Sequence, residues 1–230
     1  MARYFPRGAH RAKELRCAGE ALDAASSLFR TYFDDATHHL SLTALYEAAD
    51  AFLEAEDELV NSLSQTRGPV PDDLEDDAAS ERSLLLRFAE RSLAEFKEAH
   101  SLLDVTGLTP KEIARYANGL ALVAVVQSRQ PLHEGPAKVK RSFGDAERLH
   151  AALQGDVASL CKAEYQKRRA FERSRAGYPA EALEAMRARE DLLTSVLGAD
   201  HVETAGARRL RVLWSRGLGG GAGIGGNAPA

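Results

Sequence analysis

Few residues in this chain are placed to do chemistry. The densest titratable cluster with metal-ligand character is Asp34, Asp35, His38 and His39. On a continuous helix, i,i+4 spacing would set Asp34 beside His38 and Asp35 beside His39. No HExxH motif accompanies them and no third ligand can be named, so a zinc site is not expected. Histidines near the negative end of a helix macrodipole account for the pattern. Cys17 and Cys161 are too few and too distant for a disulfide framework or a four-cysteine zinc site, and point to a reducing, cytoplasmic compartment. Neither has the neighbours of a reactive thiolate. GxSxG and GxxxxGK[ST] are both absent. No catalytic residue, metal or cofactor is assigned, and His201 is expected to be a turn or capping residue rather than a base.

The remaining chemistry is charge. Lys138, Lys140 and Arg141, then Lys167 to Arg175, then Arg187, Arg189, Arg208, Arg209 and Arg211 make the C-terminal half basic, while acidic residues concentrate in 47–81. Such asymmetry binds an acidic peptide, holds the chain's own halves together, or only solvates helix faces. The candidate anchors for an acidic or C-terminal carboxylate partner are Lys167, Arg168, Arg187, Arg208 and Arg211. A net charge of −4 gives no footprint for nucleic acid. Aromatic residues are also not interleaved with the charges as base stacking requires. No apolar run approaches the ~20 residues of a membrane span, and the longest, Leu120 to Val126, reads as the buried part of a helix.

The elements that must position these residues are helical throughout, and no strand-like alternation is present, so the class is all-α. Leu15, Ala18, Leu22, Ala25, Phe29 and Phe33 recur at three and four, as do Leu42, Leu45, Ala49, Phe52, Leu59 and Leu63. Glu54, Glu56, Asp57 and Glu58 are expected on or near the wet side of that second helix. Gly68, Pro69 and Pro71 break the periodicity. Leu85, Phe88, Ala89, Ser92, Phe96, Ala99 and Leu103 mark a third helix from about Ser80. Gly107 stops it, Thr109 is a candidate N-cap, Pro110 fits the first helical position, and Glu112 suits the positive helix end. Pro131 to Gly135 is a further break, and Gly144 interrupts a weaker helix at 137–154. Gly155-Asp156 either separates this from the next helix or kinks one long helix. The predicted organisation is an N-terminal arm (1–8), a helical hairpin (9–64), an acidic Pro/Gly linker (65–79), a helical-repeat domain (80–216) and a disordered Gly-rich tail (217–230). The basic N-terminus lacks the serine richness of a transit peptide and reads as a basic first turn or frayed end.

One stretch has full punctuation. Glu181-Ala182-Leu183 opens a helix, Leu197-Gly198 closes it, Asp200-His201 forms the turn, and Thr204-Ala205 enters the next helix. These residues resemble the tetratricopeptide repeat in its long, kinesin-light-chain form. The departures are Tyr178, one residue early, Val202 where that family has proline, and Arg208 and Arg209 at positions usually small. Gly107 with Thr109, Glu112 and Ala114 echoes Gly198 with Asp200, Glu203 and Ala205, about two periods of a ~40–47-residue helical repeat upstream. The resemblance covers residues ~157–214. It implies stacked antiparallel hairpins whose groove binds a protein or peptide, a non-catalytic scaffold. Self-association by stacking of a terminal hairpin is a further expectation. The same kind of array forms the C-terminal domain of SET/MYND-type lysine methyltransferases, so a helical remnant of such an enzyme is the alternative. Neither the SET motif nor the MYND cysteines occur here.

Overall fold

The computed structural model describes residues 7–64, 72–103, 108–129 and 136–220. These form eight helices and no strand: α1 (Arg7–Phe33), α2 (His39–Ser64), α3 (Asp72–Ser101), α4 (Pro110–Arg129), α5 (Pro136–Ala151), α6 (Asp156–Arg175), α7 (Pro179–Leu197) and α8 (Val202–Gly220). The class is all-α, as the periodicity predicts. Residues 1–6 of the expected arm (1–8), the breaks at 65–71 and 131–135, the stop at Gly107 and the tail beyond 220 lie outside the described residues, while Arg7 and Gly8 already belong to α1.

Local chemistry sets the helix ends. Thr109 and Glu112 form a reciprocal capping box: Thr109 N–H donates to Glu112 Oε2 at 2.8 Å, and Glu112 N–H donates to Thr109 Oγ1 at 3.3 Å. Gly155 has φ 90, a conformation costly for other residues, and there α5 and α6 separate rather than kink. Some boundaries differ from expectation. α3 begins at Asp72, inside the stretch whose acidity marks it as linker. Negative charge in the opening turns of a helix favours it, and Glu75, Asp76 and Asp77 stand there. α5 runs through Gly144 without interruption, and α8 continues to Gly220.

The chain divides into two compact units. The first comprises Met1–Leu108 with Leu122–Ala146. In it α1 lies antiparallel to α2, since Arg11 pairs with Glu58, Gly19 meets Phe52, and Ser26 bonds Ser41 at 2.9 Å. α1 and α3 run parallel, tied by Arg16–Glu81 at 2.7 Å, Asp23 with Arg91, and Arg30–Glu95 at 2.6 Å. Ala12, Gly19 and Ser26, buried at heptad spacing, let α1 approach closely. Leu45, Phe52, Leu85, Leu93 and Phe96 fill this core, with Phe52 against Phe88 and Tyr46 against Phe96.

The second unit comprises Thr109–Ala121 with Glu147–Ala230. In it α6 and α7 form a hairpin on which α8 stacks. Ala163, Leu193 and Ala207 make one core cluster, and Ala170, Ala185 and Met186 make the next, covered by Leu210 and Trp214. Small residues on α6 meet small or large residues of both following helices. Phe171 of α6 meets Trp214 of α8 edge-on, centroids 5.2 Å apart, so α6 and α8 run parallel, 43 residues apart (214 − 171 = 43).

A Cβ on Gly19 would stand 2.7 Å from the buried ring of Phe52, whereas one on Gly144 would meet nothing within 4 Å. Overpacking costs ~1–3 kcal/mol, more than the ~1 kcal/mol that a helix gains from alanine. Gly19→Ala is therefore expected to lower the denaturant midpoint and Gly144→Ala to raise it. Equal stabilisation by both would contradict the close approach of α1.

Candidate functional site

The five basic residues singled out from the sequence occupy different situations. Arg208 and Arg211 converge on one carboxylate of α7: Arg208 Nε donates to Glu190 Oε1 at 2.9 Å and Arg211 Nε to Glu190 Oε2 at 2.6 Å. Burial pushes the Glu190 carboxyl upward, and the two guanidiniums outweigh it, holding it below the usual range. Lys167 and Arg168 share Glu164 at 3.5 and 3.4 Å. Arg187 is exposed on α7 and meets no carboxylate among the described residues. The structure thus joins Arg208 with Arg211 and Lys167 with Arg168, and brings together no cluster of all five.

A different basic surface lies on the outer face of α8. Val202, Gly206, Arg209, Leu213 and Arg216 follow one another at four, three, four and three residues, which aligns them on one stripe. Val202 is 75% exposed and Leu213 60%. Arg209 and Arg216 are exposed and, among the described residues, form no ion pair. Sequence reading passed over this stripe because Arg209 was grouped with its neighbours. Only the packing of Ala207, Leu210 and Trp214 inward shows which arginine faces out.

The Asp/His cluster is not on a helix. α1 ends at Phe33, Asp34 adopts φ 49, and α2 starts at His39, so the i,i+4 geometry is lost. His38 stacks on Phe33 at 3.7 Å, and Asp35 Oδ1 accepts from both N–H and Oγ1 of Thr37 at 2.7 Å. The hydroxyl and amide of Thr37 hold the Asp35 carboxyl below its usual pKa. Among the described residues no group of three or more His, Cys, Asp or Glu is placed to hold a metal ion. His201 caps α8, its Nδ1 accepting from Glu203 N–H at 3.3 Å. Burial raises the Cys161 thiol pKa against the pull of Arg115 and Lys111, the opposite of a reactive thiolate.

Two buried polar sites are not among the residues expected from the sequence. Glu56, expected on the wet side, is fully buried. Its Oε1 accepts from Arg82 Nε at 2.5 Å and its Oε2 from Arg129 Nη1 at 2.6 Å. Arg129, its side chain only 6% exposed, also reaches Asp57 at 3.3 Å. The signal was present: in the line Leu42, Leu45, Ala49, Phe52, Leu59 the missing inward position is 56. In the second unit His150 Nε2 lies 2.8 Å from Asn118 Oδ1, its ring packs 5.2 Å from Tyr165, and its Nδ1 is buried without a partner. Burial, then the nearby Lys162 charge, lower the His150 pKa to about 4, and burial pushes Tyr165 up to about 12. Both side chains are enclosed by packing, so they hold the core.

Comparison with protein-family models, curated proteins and solved structures finds no match. Among the described residues no helix is long and apolar enough to cross a membrane.

Removing one partner of a buried ion pair costs ~3–5 kcal/mol, because the other charge remains without water. Glu56→Ala takes the buried carboxylate from Arg129, which keeps Asp57, so a loss toward the lower end of that range in urea unfolding is expected. The double change Glu56→Leu with Arg129→Met should recover most of it, and a double variant no better than the single would contradict the pairing. His150 carries a pH prediction. Its folded pKa, about 4, lies below the unfolded 6.5, so the unfolded chain binds more protons between these values. Its contribution is complete above pH 6.5 and is lost as pH falls toward 4, by about 3 kcal/mol in all. His150→Leu should flatten the stability profile in that window, and an unchanged slope would argue against a buried neutral imidazole.

Proposed function

We propose that this chain is a non-catalytic helical-repeat scaffold that binds an acidic segment of a protein partner, built on tetratricopeptide-like hairpins. The observation that carries the repeat reading is the parallel placement of α6 and α8, 43 residues apart (214 − 171 = 43), through Ala163–Ala207 and Phe171–Trp214. That separation falls within the ~40–47-residue period of two-helix repeats. A face that stacks on one hairpin is matched by a face left for the next element or for a ligand.

The partner's chemistry follows from α8. Its outer stripe alternates apolar side chains (Val202, Leu213) with arginines (Arg209, Arg216) that pair with no carboxylate among the described residues, and Gly206 leaves open space between them. An amphipathic helix with Leu or Ala opposite the apolar positions and Glu opposite the arginines would lie along it, as in helix-in-groove recognition. Arg208 and Arg211 support this surface from behind by fixing α8 to Glu190. Arg187 adds a positive charge on the neighbouring helix.

Capture of partners on the immobilised chain tests the reading. Proteins retained by the wild type should carry an acidic amphipathic segment and elute with rising salt. Retention should drop tenfold or more with Arg209→Glu and Arg216→Glu, while the fold, monitored by circular dichroism, is unchanged. Retention insensitive to these charge reversals, or no protein retained above background, would contradict it.

A further inference from the structure

The outward face of α1 carries a second apolar surface, independent of the acidic-partner reading. Ala18, Ala21, Ala25, Leu28 and Tyr32 follow at three, four, three and four residues, a heptad seam opposite the side that packs on α2 and α3. Leu28 is 70% exposed and Tyr32 82%, while Ala18 and Ala21 are also exposed. A Leu and a Tyr held in water beside small residues form a docking face that no helix covers among the described residues.

The order of residues along the seam identifies the partner. We infer that α1 pairs antiparallel with α1 of a second copy of this chain, about a two-fold axis through Ala21. Under that operation every seam position finds a mate. Ala21 meets Ala21, Ala18 meets Ala25, Leu28 lies along the methylenes of Glu14, and Tyr32 reaches Arg11. The centre is then small against small, which allows interaxial separations at the short end of ~8–10 Å. The ends are complementary in charge. Lys13 stands toward one end of the helix, Asp34 and Asp35 follow the other, and only the antiparallel arrangement brings them toward one another. A parallel pair would set like charges together. A two-fold interface of this kind is closed, so it makes a dimer and not a filament.

The contact is small. A 27-residue helix is ~40 Å long, and a strip of that length buries roughly 400 Å² per copy, at the low end for specific interfaces. The association is therefore reversible and set by concentration.

Sedimentation velocity of the full chain over roughly a hundredfold range of concentration reads this directly. The mass is expected to rise from one chain to two, and Leu28→Glu to move the midpoint tenfold or more toward high concentration. In a Cys17→Ser background, Ala21→Cys should oxidise to a covalent dimer through the residue on the axis. Ala18→Cys should not do so unless Ala25→Cys is added. A single-chain mass at the highest concentration would overturn the proposal and leave the seam to a different protein. So would a dimer indifferent to Leu28→Glu, or one not linked through Ala21→Cys.

Discussion

A carboxylate removed from water must be neutralised where it sits, and Glu56 imposes that condition on the first unit. It occupies an inward position of α2 between Phe52 and Leu59, where the heptad calls for an apolar residue. α2 can bury that stripe only when Arg82 of α3 and Arg129 at the end of α4 both arrive. Two elements distant in sequence are thereby tied to one register. A slip of α3 by one turn would take Arg82 away and leave the buried carboxylate to Arg129 alone, which is destabilising. The peripheral pairs along α1 and α3 are about one-third exposed on both sides. Such pairs contribute ~0–1 kcal/mol each. Their role is to match positions along two parallel helices.

The second unit repeats the arrangement, one carboxylate held by two arginines, in a less buried setting. Glu190 of α7 gathers Arg208 and Arg211 of α8, and Glu203 reaches the largely buried Arg189. These bonds fix the rotation of α8 on the hairpin. Rotation then decides which arginines remain outside. Arg208 and Arg211 point to the protein, Arg209 and Arg216 to solvent, in a helix where all four stand within ten residues of one another. The charge that α8 presents to solvent depends on that partition more than on the abundance of basic residues.

The sequence made the helices legible, and their caps in particular. Thr109-Pro110-Lys111-Glu112 announces a capping box, and His201 announces a turn, because both act within a few residues of themselves. The buried run at Ala121 to Val126 was equally readable from its lack of a polar face. Features that depend on partners far along the chain were not. Glu56 is acidic and sits among acidic neighbours, so composition places it outside, and only Arg82 and Arg129 make burial tolerable. Arg208 and Arg211, which the sequence offers as anchors for a partner, are held by Glu190 of the neighbouring helix, and Arg209 is the one that faces out. Asp72 to Ala79 has the composition of a solvated linker, yet the same acids suit the first turns of α3.

The partition of arginines into held and free can be measured in one experiment. Side-chain Nε–H resonances in an NMR spectrum at mildly acidic pH report whether each guanidinium is fixed. The structure requires dispersed, slowly exchanging signals from Arg82, Arg208 and Arg211, whose Nε groups donate to Glu56 and Glu190. Arg187, Arg209 and Arg216 should collapse together at the position of a freely solvated arginine. If Arg208 and Arg211 joined the solvated signal while Arg209 stood apart, α8 would be rotated from the orientation described, and its outer face would not be the binding surface.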